Sequence, residues 1–276
     1  MPFPSLYLRV IAFMPKTPMK RLARILCAFA VLAACQTNPI TGRSQLMIVS
    51  EDMAISNSAS AYTQTLQQAR GKGQLDSNAG TNRRITDITG RLIVQAKLLR
   101  PESLDWQWSV HVIEDKQVNA WCMAGGKMAV YSGLLTAVKP SDDEIAQVMG
   151  HEISHALLSH TREQMSEAMA TQGMLVIGSI AAGVDLSGLG DLAKIGILLP
   201  HSRQAESEAD RLGIELAARA GYNPNAAVSL WRKMSQTGGQ KPPEILSTHP
   251  SDERRLQALA DLVPRMMPLY EAAKAR

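Results

Sequence analysis

The sequence predicts an α+β fold that is mainly helical, with a small sheet beside one buried helix that carries two histidines. Three observations point there. Capping residues bracket long helical stretches, as Ser50 and Gly71 and Ser202 and Gly221 do, and another stretch from about Asn78 stops before Pro101. Trp106, Trp108, Val110 and Val112 alternate with Gln107, Ser109 and His111, which is the period of a strand. Between Ser141 and Leu157, Ile145, Val148, Met149, Ile153, Ala156 and Leu157 recur at helical spacing around His151-Glu152-Ile153-Ser154-His155.

The elements follow in chain order. Lys16 to Arg24 is a basic run and Ile25 to Ala34 a short apolar one, together a leader over residues 1–34 whose start is over-extended. Leu32-Ala33-Ala34-Cys35 resembles a bacterial lipobox, so Cys35 is expected to carry lipid and residues 35–50 to form a turn-rich tether. Gln36 after the cysteine suits sorting to an outer membrane, on its periplasmic face. Helices are expected over about 51–70 and 78–99, the second stopping before Pro101. Val118 to Trp121 and Lys127 to Tyr131 flank Gly125-Gly126 as two short strands around a turn. Ser141 with Glu144 forms a capping box for the histidine helix. Thr171 to Leu199 is rich in Gly, Ala, Ile and Leu, but charges and glycines interrupt it, so two short apolar helices fit better than a span. Further helices run from Ser202 to Ala220, from Pro224 to about Met234, and onward from about Ser251. The folded unit is placed at 51–262, with 263–276 as a tail.

The net charge of +4 does not describe that unit. Five basic and no acidic residues precede Cys35, leaving 24 Lys and Arg against 25 Asp and Glu, which excludes a basic nucleic-acid-binding surface as the main theme. Of three cysteines, Cys27 leaves with the leader and Cys35 takes lipid, so Cys122 has no internal disulfide partner. Between Trp121 and Met123 it reads as a buried side chain rather than a nucleophile. His111, on the polar side of its strand, reads as a solvated or hydrogen-bonded histidine.

The chemistry centres on His151 and His155. Residues four apart lie on one helix face, so both imidazoles can reach one Zn²⁺, and Glu152 can take a proton from water that the metal activates. A catalytic zinc needs a third protein ligand. His160 lies five residues beyond His155 and does not complete a close-spaced histidine motif. Glu206 and Asp210 share a helix face further on; Glu206 can coordinate and Asp210 can accept the outer N–H of a ligand histidine. A solvated acidic face is the alternative for that pair. Glu208 points elsewhere on the same helix. His249 could approach the metal, as an inhibitory ligand or an oxyanion donor, or could cap its own helix. Asn119, Ala120, Trp121, Cys122 and Met123 form a strand against which an extended substrate would lie, or which serves equally well as core sheet.

These motifs resemble the Ste24/HtpX/Oma1-like (M48-type) zinc metalloendopeptidases, in particular the short bacterial lipoprotein members. The carrying residues are Asn119-Ala120-Trp121 with Gly125-Gly126, Ser132-Gly133-Leu134-Leu135, and His151 to His155. Glu206 to Gly213, Ser247 to Ser251 and the Asn38-Pro39-Ile40-Thr41-Gly42-Arg43 stretch add to them. The resemblance implies a zincin-like metallopeptidase domain with one Zn²⁺ per chain. It implies His151, His155 and Glu206 as ligands, Glu152 as general base and Asp210 behind a ligand. Trp121 and Ala124 depart from the Phe and Pro common in such proteins. The implied function is cleavage of unfolded or misfolded envelope proteins by a lipid-anchored enzyme. The competing readings are a chaperone-like or scaffold lipoprotein with an occluded or silent site, and a structural zinc held by four protein ligands.

Overall fold

The computed structural model describes residues 35–182, 200–237, 243–250 and 252–275, with the side chains of 172–182 left aside. The leader, most of the apolar 171–199 stretch, Gly238-Gly239 and Ser251 lie outside the described residues. A small hairpin, β1 (Cys35–Thr37) and β2 (Ser44–Leu46), precedes helices α1 (Glu51–Gly71) and α2 (Ala79–Leu99). Ser50 and Asn78 start those helices, their side chains accepting from the Met53 and Thr81 amides.

Strands β3 (Ser109–Ile113), β4 (Ala120–Met123) and β5 (Lys127–Tyr131) form a sheet in the order β3-β5-β4. Central β5 runs parallel to β3 and antiparallel to β4, so β4 is an edge strand among the described residues. Gly125 and Gly126 turn β4 into β5 at φ 78° and 76°, and a Cβ on Gly126 would stand 2.4 Å from the Trp108 ring.

The strand expected from Trp106 begins only at Ser109. Pro101–Asp105 forms a short 3₁₀ turn, and the Trp106 amide donates to Ser103 O. Trp106 packs against Trp108 at 5.3 Å between ring centroids, with Arg100 5.1 Å over its ring. Two indoles two residues apart can pack on each other in a turn as well as on a pleat, so the alternation over-extends the strand.

After α3 (Ser132–Ala137) comes the histidine helix, α4 (Asp142–Leu157), buried from Glu144 to its end. Both halves of the capping box are present: Glu144 N–H donates to Ser141 Oγ at 3.2 Å, and Ser141 N–H to Glu144 Oε2 at 2.8 Å. The other end is closed by distant side chains. Arg100 donates to Leu157 O at 2.7 Å, and Asn38 and Gln45 donate to Leu158 O at 2.9 and 3.0 Å. Asn38 and Gln45 belong to the expected tether, part of which is therefore docked on the folded unit.

Helices α5 (His160–Ala182), α6 (Arg203–Arg219), α7 (Asn225–Gln236), α8 (Glu244–Thr248) and α9 (Glu253–Lys274) complete the described chain. Residue 262, placed as the end of the folded unit, falls inside α9. That helix runs on through Pro264 and Pro268, with Met266 buried. Ile85, Leu92, Met128, Leu134, Ile145, Met149 and Ile153 are fully buried, joining α2, the sheet, α3 and α4 in one core. Each such side chain contributes about 1.5–3 kcal/mol on leaving water.

Helices α4 and α6 cross through glycine. A Cβ on Gly150 would lie 2.8 Å from Gly213 O, and one on Gly213 would lie 2.8 Å from His151 N. Neither neighbour is a side chain that can swing away. Gly213→Ala is therefore expected to cost about 1–3 kcal/mol in a denaturant titration. Gly90→Ala, exposed in α2 with nothing near its added methyl, should instead gain about 0.5–1 kcal/mol.

Candidate metal centre

One helix supplies the first donors. His151 and His155, a turn apart on α4, bring their Nε2 atoms within 3.0 Å of each other. Helix α6 crosses at Gly213 and places Glu206 opposite, 3.4 Å from His155 Nε2 and 3.5 Å from His151 Nε2. His249, just past α8, reaches in from the far side. Its Nδ1 lies 3.2 Å from His151 Nε2 and 2.9 Å from Glu206 Oε1, and its Nε2 lies 3.4 Å from Glu152 Oε1. His249 does not cap the following helix; the cap of α9 is Asp252, whose side chain accepts from the Arg255 amide. The four potential donor atoms lie within 4.8 Å of one another, and all four residues are buried.

A zinc ion suits this donor set. Ligand atoms at zinc distances on a tetrahedron stand about 3.3 Å apart, close to the separations here. Two nitrogens of neutral imidazoles facing each other at 3.0 Å need a cation between them or a proton on one. Charge points the same way. Glu152, Glu206 and Asp210 are all buried, while Arg255 is the buried guanidinium beside them, which leaves two negative charges for a divalent cation. Glu152 Oε1 is buried and has no hydrogen-bond partner among the described residues.

The surrounding groups fix the donors. His151 Nδ1 lies 3.0 Å from Asp210 Oδ1, and Arg255 grips Asp210 with Nε and Nη2, each at 2.8 Å. Arg255 also stacks 3.6 Å over Trp231. Behind the other histidine, His160 Nδ1 lies 2.9 Å from His155 Nδ1. His201 stacks on His155 at 3.9 Å.

These neighbours set the proton affinities. Burial opposes charge on His151, but Glu206 and Asp210 outweigh it and push the imidazole up to about 9. Burial, then His201, holds His155 well below the usual histidine range. Burial would also raise Glu206, yet His249 and His151 keep it well below the carboxylate range. Burial raises Glu152, the direction a base working near neutrality needs.

Asn119 and β4 form one wall of a narrow cleft, and Glu152, His155, His201 and His249 face it. Cys122 is buried in that wall, and burial holds its thiol well above the usual range, against a nucleophilic role. Cys35 is exposed at the start of the described chain. His111 lies away from the cluster, its Nδ1 2.5 Å from Asp76 Oδ2.

Sequence reasoning misses Arg255, His160, His201 and the role of Glu208. Within the sequence Arg255 is one more charge in a first helical turn. Its six-residue interval from His249, which sets both on one short corner, is the available signal.

Zinc binding at His151 must displace the proton that its raised affinity keeps there at pH 7. Calorimetry in buffers of different ionisation enthalpy should show release of about one proton at pH 7. Zinc affinity should rise about tenfold per pH unit towards 9 and then level off, because above that pH the ring has already lost its proton.

Comparison with known proteins agrees with this geometry. Residues 79–263 match the model of peptidase family M48. Over 230 residues the chain is 33% identical to the mitochondrial metalloendopeptidase OMA1 of Schizosaccharomyces pombe, covering 82% of this chain and 66% of that protein. It is 29% identical to metalloprotease YcaL of Escherichia coli, covering 87% of this chain and 97% of the relative. A putative beta-barrel assembly-enhancing protease of Vibrio cholerae is also 29% identical, over 71% of this chain and 43% of that protein. The chain spans about a third to two thirds of the length of the OMA1 relatives it matches. With the family match covering most of its length and both histidines, Glu206 and Asp210, the chain belongs to peptidase family M48.

Proposed function

We propose that this chain is a zinc-dependent endopeptidase of the cell envelope that cleaves unfolded or damaged proteins. The observation that carries the reading is the buried His151, His155 and Glu206 set with the unpartnered Glu152 oxygen beside it, at the foot of an edge strand. His151, His155 and Glu206 would hold the ion. Zinc, when bound, makes water a better nucleophile near neutral pH and polarises a carbonyl. Glu152 takes the proton from the attacking water and delivers it to the leaving amine. Asp210 and Arg255 hold the His151 ring. The outer edge of β4, from Asn119 to Met123, offers backbone donors and acceptors to an extended peptide, which would pair as a fourth strand and lie across Glu152.

Location and clients rest on separate support. The lipobox at Leu32 to Cys35 supports lipid anchoring to the outer membrane, facing the periplasm. The names of the Escherichia coli and Vibrio cholerae relatives, a metalloprotease and a putative beta-barrel assembly-enhancing protease, support proteolysis as the activity.

Glu152→Gln should bind zinc like the parent and lose cleavage of an unfolded protein by about 10²–10⁴-fold. Cleavage at the parental rate by the zinc-loaded variant would remove Glu152 from the mechanism.

A second reading concerns access. His249 Nδ1 stands as close to His151 Nε2 as the other donors do, and its ring separates Glu206 from Glu152. That arrangement favours a closed site in which His249 takes the corner water would need. On this reading His249→Ala weakens zinc binding and speeds cleavage. Slower cleavage at unchanged zinc affinity would make His249 an oxyanion donor instead.

A further inference from the structure

The stretch Asn38 to Arg43 is named by neither the ligand set nor the mechanism, yet it reaches the metal centre. We infer that Arg43 is a positioning residue for the zinc site, acting through Glu208 and His160 on the ring of His155. The inference rests on His155 being a zinc ligand.

The chain of contacts runs in one direction. His155 turns Nε2 towards His151 and Glu206, so its proton sits on Nδ1, which faces His160 Nδ1 at 2.9 Å. His160 therefore accepts at Nδ1 and carries its own proton on Nε2, which donates to Glu208 Oε2 at 3.1 Å. Arg43 Nε donates to both oxygens of Glu208, at 2.8 and 3.1 Å. Its two terminal nitrogens grip Glu163 at 2.5 and 2.6 Å. Every guanidinium nitrogen is thus engaged. His160 is 1% exposed, so its tautomer and tilt are set by Glu208 rather than by water.

The backbone makes this geometry possible. Ser159 adopts φ 58°, a left-handed residue that breaks the helix after Leu158 and swings His160 back against His155. On an unbroken helix, a residue five places on would face away. The Arg43 segment is held in reach by its own fold. Asn38 Oδ1 accepts from the Ile40 and Thr41 amides, Gly42 turns at φ 71°, and Asn38 and Gln45 donate to Leu158 O.

The two ligand histidines are therefore backed in the same way. Behind His151 stand Asp210 and Arg255; behind His155 stand His160, Glu208 and Arg43. Outer partners of this kind typically change metal affinity by about 10–100-fold when removed.

The test compares the full chain with Arg43→Ala, Arg43→Lys and Glu208→Gln. Zinc affinity is read by competition with a chelator, and the visible spectrum of Co²⁺ bound in place of zinc reports ligand orientation. Arg43→Ala should lose about tenfold or more in zinc affinity and shift the cobalt bands. Arg43→Lys keeps the charge without the fork and should recover part of the loss. Arg43→Ala in the Glu208→Gln background should add little, because both act through one contact.

A folded Arg43→Ala chain with parental zinc affinity and cobalt bands would overturn the inference and leave the zinc site intact. Should Arg43→Ala not fold, parental values for both Arg43→Lys and Glu208→Gln would do the same. Full zinc affinity in His155→Ala would instead remove the ligand assignment, and the inference with it.

Discussion

The close crossing of α4 and α6 is the constraint on which the centre depends. Gly150 and Gly213 meet backbone to backbone, and that distance decides whether Glu206 can reach the nitrogens of His151 and His155. Glu206, Asp210 and Gly213 are spaced at i, i+4 and i+7, so one face of α6 carries a candidate ligand, the carboxylate beside His151 and the contact point. The same holds on α4, where Gly150 immediately precedes His151. Packing and coordination are thus one requirement. A side chain at the crossing would push the helices apart and lengthen every ligand separation together.

That geometry creates an electrostatic problem, and the metal resolves it. Three buried carboxylates around one set of donors, with one guanidinium bound to two of them, are costly to keep charged. Without the ion, part of the deficit is met by proton uptake, as the raised affinity of His151 shows. A divalent cation bound there would replace that proton and answer the remaining charge, and would stabilise the fold by the same contacts that position it. Glu152 differs from the other two carboxylates, because its Oε1 is buried with no hydrogen bond among the described residues and its proton affinity is raised by burial. A carboxylate kept in that state is ready to accept a proton.

Local rules make much of this arrangement legible in the chain itself. Ser50, Ser141 and Ser202 each cap the helix expected of them, and the HExxH spacing alone puts two imidazoles on one face. Glu206 is less legible, because an acidic pair on a helix looks solvated until the facing helix is known. His160 is hidden by the left-handed Ser159, which periodicity cannot see. Arg43, Asn38 and Gln45 are hidden because polar contacts across more than a hundred residues leave no local pattern. The tryptophan alternation misleads for a related reason, since burial of two indoles does not specify the backbone between them.

The two supports behind the histidines come from opposite ends of the described chain. Arg255 stands in the first turn of the last helix, and Arg43 stands in the turn between β1 and β2, the first two described strands. His151 is fixed only once α9 has docked on α6 and α7, and His155 only once the N-terminal hairpin has docked on α5. A chain missing either contact still contains the histidines but does not orient them. Both ends of the described chain must therefore be in place before the two imidazoles are held as the candidate centre needs them.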